Sequence, residues 1–306
     1  MKDNKYYPQV LLMLRCLPLV SKETCFSLKG GTAINLFVRD MPRLSVDIDL
    51  AYIPLDTREK SLADVENALK RISTDVQKTI KSAQVHESRN AKTKLIEKIF
   101  VRSENTQIKI EPNPVVRGSV YESKDLSLVR VAEEVFELTT TTSILSLPDL
   151  YGGKLVAALD RQHPRDLFDV KLLLETEGIT NEIRKAFVVY LGSHPRPMSE
   201  ILNPNLSDQK VAYEKEFVGM STIPFTYEMF EETRKKLISK IKSDLTKDEK
   251  TFLVSLQEGS PQWDKLKLDK IHELPALKWK LENVQKMSPA KRKLAVELLQ
   301  KTLAST

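Results

Sequence analysis

The chain has 306 residues, 48 Lys+Arg against 42 Asp+Glu and a net charge of +6. With 41% hydrophobic and 29% charged residues it can bury a substantial core, which excludes wholesale disorder. Two cysteines, Cys16 and Cys25, and four scattered histidines exclude a disulfide framework and a cysteine-built zinc site.

The first apolar run, in residues 10–17, has helical spacing but is interrupted by Arg15 and has no small-residue cleavage site behind it. It therefore reads as a core helix rather than a signal peptide. No stretch has the length of apolar sequence that spans a bilayer, so no membrane is expected and the cytoplasm is the expected compartment. Residues 25–29 read as a short strand broken by Gly30-Gly31, and residues 32–38 as a helix capped by Thr32. Residues 44–52 alternate apolar and polar, a strand. Leu62, Val65, Leu69, Ile72 and Val76 lie on one helical face, predicting a helix over 59–83. Residues 96–101 and 106–111 form a hairpin joined by the polar Ser103, Glu104 and Asn105.

From about Ser143 the pattern becomes helical. Ser146-Leu147-Pro148-Asp149 has the form of a capping box opening a helix to about Arg161, and Pro164 separates it from a second helix over 165–174. Further amphipathic helices are expected at about 181–191, 227–242, 246–257 and 288–302, while residues 190–224 receive no assignment. The fold class is therefore α+β: a mixed sheet flanked by helices over residues 1–142, and a helical domain over 143–306. Charge is uneven between them. Residues 231–306 hold 17 Lys+Arg and 11 Asp+Glu, which leaves 31 against 31 in residues 1–230. A basic tail suits a phosphate-rich partner, although a Lys-rich solvated surface would have the same composition.

Asp47 and Asp49 are two apart on the strand over 44–52, so both carboxylates share a face and can offer hard oxygen ligands to Mg²⁺. About six acid pairs at this spacing arise by chance in such a chain, so the neighbours matter. Gly30-Gly31 lies between a strand and a helix start, where backbone N–H groups can cradle phosphate. Glu111 closes the strand after Lys109 and offers a third carboxylate, or a salt-bridged strand end. Downstream, Lys154 and Arg161 form one stripe of a helix, and Asp166 and Asp169 share a face of the next. Together they make either a structural ion pair or a cation for a triphosphate with an acid for an acceptor hydroxyl.

Leu28-Lys29-Gly30-Gly31-Thr32, Pro42-Arg43-Leu44-Ser45-Val46-Asp47-Ile48-Asp49, Tyr151-Gly152-Gly153-Lys154 and Arg165-Asp166-Leu167-Phe168-Asp169, in this order, resemble the AbiEii/AbiGii nucleotidyltransferase toxins. That family lies in the DNA polymerase β-type superfamily and includes the MenT toxins. The resemblance covers residues 25–175 closely. It implies Mg²⁺-dependent transfer of a nucleotide monophosphate from an NTP to an acceptor, with Asp47 and Asp49 as metal ligands, beside which the strand end offers Glu111 as a third, and with Asp47, Asp49, Lys154 and Asp169 as catalytic residues. Lys29, Gly30, Gly31, Thr32, Arg165 and Asp166 would bind the nucleotide. Gly31 stands where the superfamily has Ser, which removes a hydroxyl from the turn. The resemblance further implies a type IV toxin–antitoxin system in phage defence, with the 3′ end of tRNA as acceptor, so that aminoacylation and translation are blocked. The antitoxin would be a partner that need not touch the toxin. The same site could instead modify a protein hydroxyl or a small molecule, or bind nucleotide or RNA without turnover.

Overall fold

The structure is a computed structural model that describes residues 2–304. It divides into two compact units, one made of residues 1–146 with 219–224, the other of residues 147–218 with 225–306.

In the first unit the described elements run α1 (Tyr7–Val20), β1 (Phe26–Lys29), α2 (Gly30–Ala33) continuing as one π-helical turn (Ile34–Val38), then β2 (Ile48–Tyr52) and α3 (Arg58–Thr79). There follow β3 (Ala83–Arg89), β4 (Ile96–Ser103), β5 (Thr106–Pro112), β6 (Lys124–Ser127), α4 (Arg130–Phe136) and β7 (Thr141–Ile144). The seven strands form one mixed sheet in the order β3-β4-β5-β2-β1-β7-β6. β1 pairs antiparallel to β2 and parallel to β7, and β2 pairs parallel to β5. This bears out the α+β class and the hairpin, which is β4–β5 with Val101 opposite Ile108.

Period two sorts the strands' side chains. Ile48, Leu50, Ile99, Val101, Ile108 and Ile110 are buried, whereas Asp47, Asp49, Lys98, Phe100, Lys109 and Glu111 are only partly covered. The apolar face of β3–β5 is backed by α1 and α3. α3 starts where the Thr57 hydroxyl accepts from Lys60 N and stops at Thr79, four residues short of the expected end, because Ala83 begins a strand opposite Ser103.

Two other expectations are corrected here. The helix after the glycine pair starts at Gly30, with Lys29 as its N-cap residue, so Thr32 sits inside it and caps nothing. β2 starts at Ile48 rather than at Leu44, because β1 turns into helix beyond Lys29, whose partner is Asp49, and leaves residues 44–47 without that ladder. Those residues are held by the returning segment: Leu44 N donates to Met220 O at 2.8 Å, Thr222 N to Pro42 O at 2.9 Å, and Arg43 and Ser221 form an antiparallel bridge.

The second unit is helical among its described residues: α5 (Leu147–Asp160), α6 (Pro164–Glu175), α7 (Asn181–Gly192), α8 (Met198–Leu202), α9 (Lys210–Glu216), α10 (Tyr227–Asp244), α11 (Lys247–Glu258), α12 (Pro275–Gln285) and α13 (Pro289–Ala304). The starts of α6, α7, α10 and α11 carry side-chain caps. The His163 ring accepts from Arg165 N with Pro164 in the first turn of α6, and Thr246 and Glu249 close a reciprocal capping box on α11. α5 and α7 pack closely because Gly152 has no side chain: a Cβ there would lie 2.7 Å from Ala186 Cβ and 2.8 Å from Phe187 N. Leu155, Phe168, Phe187, Phe230 and Leu256 are fully buried in this unit. No described helix is long and apolar enough to cross a membrane.

Candidate active site

The structure brings the glycine turn and the aspartate pair together. Gly30 has φ +73°, and a Cβ on it would lie 2.7 Å from Asp49 Oδ2, so a glycine is required both by backbone conformation and by the approach of the carboxylate. Lys29 is the cross-strand partner of Asp49, which puts both side chains on one face. Gly31 faces Arg43 instead: a Cβ on it would meet Arg43 Nη2 at 2.5 Å and Ser45 Oγ at 3.1 Å.

Thr32 is buried, and its hydroxyl lies 2.5 Å from the Asp47 carbonyl oxygen, to which it donates, and 2.9 Å from Ser45 Oγ. The side chain expected to contact a nucleotide thus fixes the backbone that carries the first aspartate. The side chain of Arg43 is also buried and donates to Leu44 O at 2.9 Å. The sequence gives Arg43 no role of its own, although it lies within the motif over residues 42–49.

Glu111 is the parallel-ladder partner of Asp49, as the sheet requires for a third carboxylate. It is instead committed to two ammonium groups, Lys98 Nζ at 2.8 Å and Lys109 Nζ at 2.7 Å. Burial works against ionisation of Glu111, but the two lysines outweigh it and hold its carboxyl below the usual range. Burial likewise opposes the charge on Lys109, and Glu111, Asp47 and Asp49 together shift it upward. Among the described residues no three His, Cys, Asp or Glu side chains converge as a metal cage. The donor set left, Asp49 on β2 and Asp47 just before the strand, fits a magnesium ion that takes its remaining ligands from water and substrate phosphates.

In the second unit the expected cation and acids meet. Lys154 Nζ lies 2.8 Å from Asp166 Oδ1 and 3.0 Å from Asp169 Oδ2, and Arg161 Nε lies 2.5 Å from Asp166 Oδ2. The side chains of Lys154, Asp166 and Asp169 are 6%, 1% and 0% exposed, so this charge cluster is sealed from solvent except along Arg161. Burial would raise the pKa of Asp166, but the charges of Lys154 and Arg161 drive it far below the carboxylate range. Arg165 stands apart from this cluster, 3.6 Å from Glu216, which also binds His163 Nε2 at 3.0 Å. A second buried polar pair, Tyr190 Oη donating to Asp149 Oδ1 at 2.6 Å, ties α7 to the first turn of α5.

A mixed sheet that presents a two-residue-spaced aspartate pair beside a strand–glycine–helix turn defines a nucleotidyltransferase fold. The chain has that fold in common with the MenT4 nucleotidyltransferase toxin of Mycobacterium tuberculosis H37Rv, with 14% identity, a TM-score of 0.61, and 95% of this chain and 92% of that one covered. The model of the family described as "Nucleotidyl transferase AbiEii toxin, Type IV TA system" matches residues 11–283, and the chain belongs to that family. Among curated protein sequences, none matches it.

Proposed function

We propose that this toxin transfers a nucleotide monophosphate from an NTP to the 3′ hydroxyl of tRNA, breaking the α–β phosphoanhydride bond and releasing pyrophosphate, which would block aminoacylation. The carrying observation is the half-buried Asp47 and Asp49 pair at the start of β2, with Gly30 packed under Asp49. Asp47 and Asp49 would hold Mg²⁺, which when bound polarises the α-phosphate and lowers the cost of ionising the attacking hydroxyl. Lys29 and the Gly30-Gly31 turn would receive phosphate oxygens, the turn through its backbone N–H groups. Thr32 holds the Asp47 backbone, and Glu111 is left outside the metal set because two lysines neutralise it. In the helical unit, once substrate opens their buried cluster, Lys154 would offset triphosphate charge and Asp169 would orient the acceptor hydroxyl, with Asp166 holding Lys154 by an ion pair. The basic residues of 231–306 suit a polyanionic acceptor, and a type IV system supplies a cognate antitoxin.

The test is incubation of the purified protein with Mg²⁺, total tRNA and each α-labelled NTP in turn. Label entering tRNA, and lost in Asp49→Ala, is the expected result. Label in protein with none in RNA would replace this reading with a protein acceptor.

A further inference from the structure

The sheet face that carries Asp47 and Asp49 continues over three more strands. Lys109 and Glu111 stand on it in β5, Lys98, Phe100 and Arg102 in β4, and His86 in β3. Registers fix the layout: Phe100 is the partner of both Lys109 and His86, and Glu111 is the partner of Asp49. Arg102 and His86 are exposed, and Lys98, Phe100 and Lys109 are half-buried, while the intervening Ile99, Val101, Ile108 and Ile110 are buried on the other side. From β3 to β2 this face spans three strand spacings, roughly 14 Å.

Three permanent cations, two of them sharing the carboxylate Glu111, with an aromatic ring in the middle row and a carboxylate pair at the end, form a recognisable chemical pattern. Cations recruit phosphates by counterion release, and a flat ring accepts an unpaired base whatever its identity. We propose that this face is the track of a single-stranded nucleic acid whose 3′-terminal hydroxyl is delivered to Asp47 and Asp49. One base stacks on Phe100, and Lys98, Arg102 and Lys109 receive successive phosphates. A paired duplex offers no free base face to the ring, so the surface selects single strands. The inference rests on the reading of an RNA acceptor given above and adds where and in what form that acceptor binds.

The experiment is fluorescence anisotropy of the full chain with a labelled twelve-nucleotide RNA bearing a free 3′ hydroxyl, without NTP, alongside the same sequence as a blunt duplex. The single strand is expected to bind more tightly. Phe100→Leu, which keeps apolar volume but removes the ring, is expected to weaken it about tenfold, within the range for one stacked base. The Lys98→Ala, Arg102→Ala double variant is expected to reduce the salt slope by about 1.4, near 0.7 per phosphate. The surface double variant serves if Phe100→Leu proves unfolded by its melting temperature. Equal binding of strand and duplex, or wild-type binding by both variants, overturns the proposal. So does loss of binding on replacing Lys291, Arg292 and Lys293 with Ala while the sheet variants bind normally. Label transfer to tRNA persisting beside wild-type binding by the sheet variants would sink this surface alone. Label appearing only in protein would sink the acceptor reading.

Discussion

Thr32 illustrates how one hydroxyl can hold the backbone of a candidate site. Buried between the Asp47 carbonyl and the Ser45 hydroxyl, it holds the extended residues just before β2, where no ladder from β1 reaches. Thr32→Val keeps the shape and removes both hydrogen bonds, so a stability loss of about 1–3 kcal/mol is expected. Steady-state kinetics with NTP should show kcat falling while KM for NTP stays put, with Thr32→Ser close to wild type; a phosphate ligand would raise KM instead. Asp166 presents the opposite balance, a fully buried carboxylate held charged by Lys154 and Arg161. Asp166→Asn leaves Lys154 with Asp169 alone, and breaking such a buried pair costs about 3–5 kcal/mol. Because its folded pKa is depressed, Asp166 contributes stability above its unfolded pKa of about 3.9, and that contribution is lost as pH falls toward the folded value. The gap in melting temperature between wild type and Asp166→Asn should therefore stay constant from pH 7 to about pH 4 and begin to narrow as pH falls to 3.

At the scale of elements, the adjacent glycines of α5 have opposite environments. Gly152 meets the α7 backbone at Ala186 and Phe187, whereas a Cβ on Gly153 would meet nothing within 4 Å. Gly152→Ala should destabilise by about 1–3 kcal/mol through overpacking, and Gly153→Ala should be neutral or stabilise by about 0.5–1 kcal/mol through helix propensity. Chemical denaturation of the two variants separates these outcomes. The same contrast explains what could be read in advance. Helices α3, α6, α7, α10 and α11 and the β4–β5 hairpin carry regular apolar spacing and good caps, so the sequence pattern locates them. β6, with Lys124, Asp125 and Ser127, has almost no apolar signal and exists only because β7 offers a ladder. β3 is an edge strand with little of it buried, and α8, α9 and α12 fall in segments where pattern and turns are ambiguous. The aspartate spacing and the Lys154 to Asp169 spacing are local and therefore legible. The partners of Thr32 and the capture of Glu111 by Lys98 depend on registers between distant segments, which spacing along the chain does not encode.

At the scale of the whole molecule, the first unit is discontinuous. After Ser146 the chain builds helices and returns for residues 219–224, which supply the Met220 carbonyl to Leu44 and the Thr222 donors to Pro42. Thr222→Pro removes both donors to Pro42, and hydrogen exchange over residues 41–47 should accelerate several-fold while exchange in β4 and β5 stays slow. Unchanged protection over 41–47 would show that the loop is held from within. The order of synthesis gives this arrangement a further meaning. The segment that fastens the loop before Asp47 is made about 180 residues after it, roughly 10–40 s at a typical ribosomal rate of about 5–20 residues per second. A nascent chain therefore carries an unfastened aspartate loop through most of its translation, and a cell that makes this toxin completes the polypeptide well past the sheet before that loop can be locked.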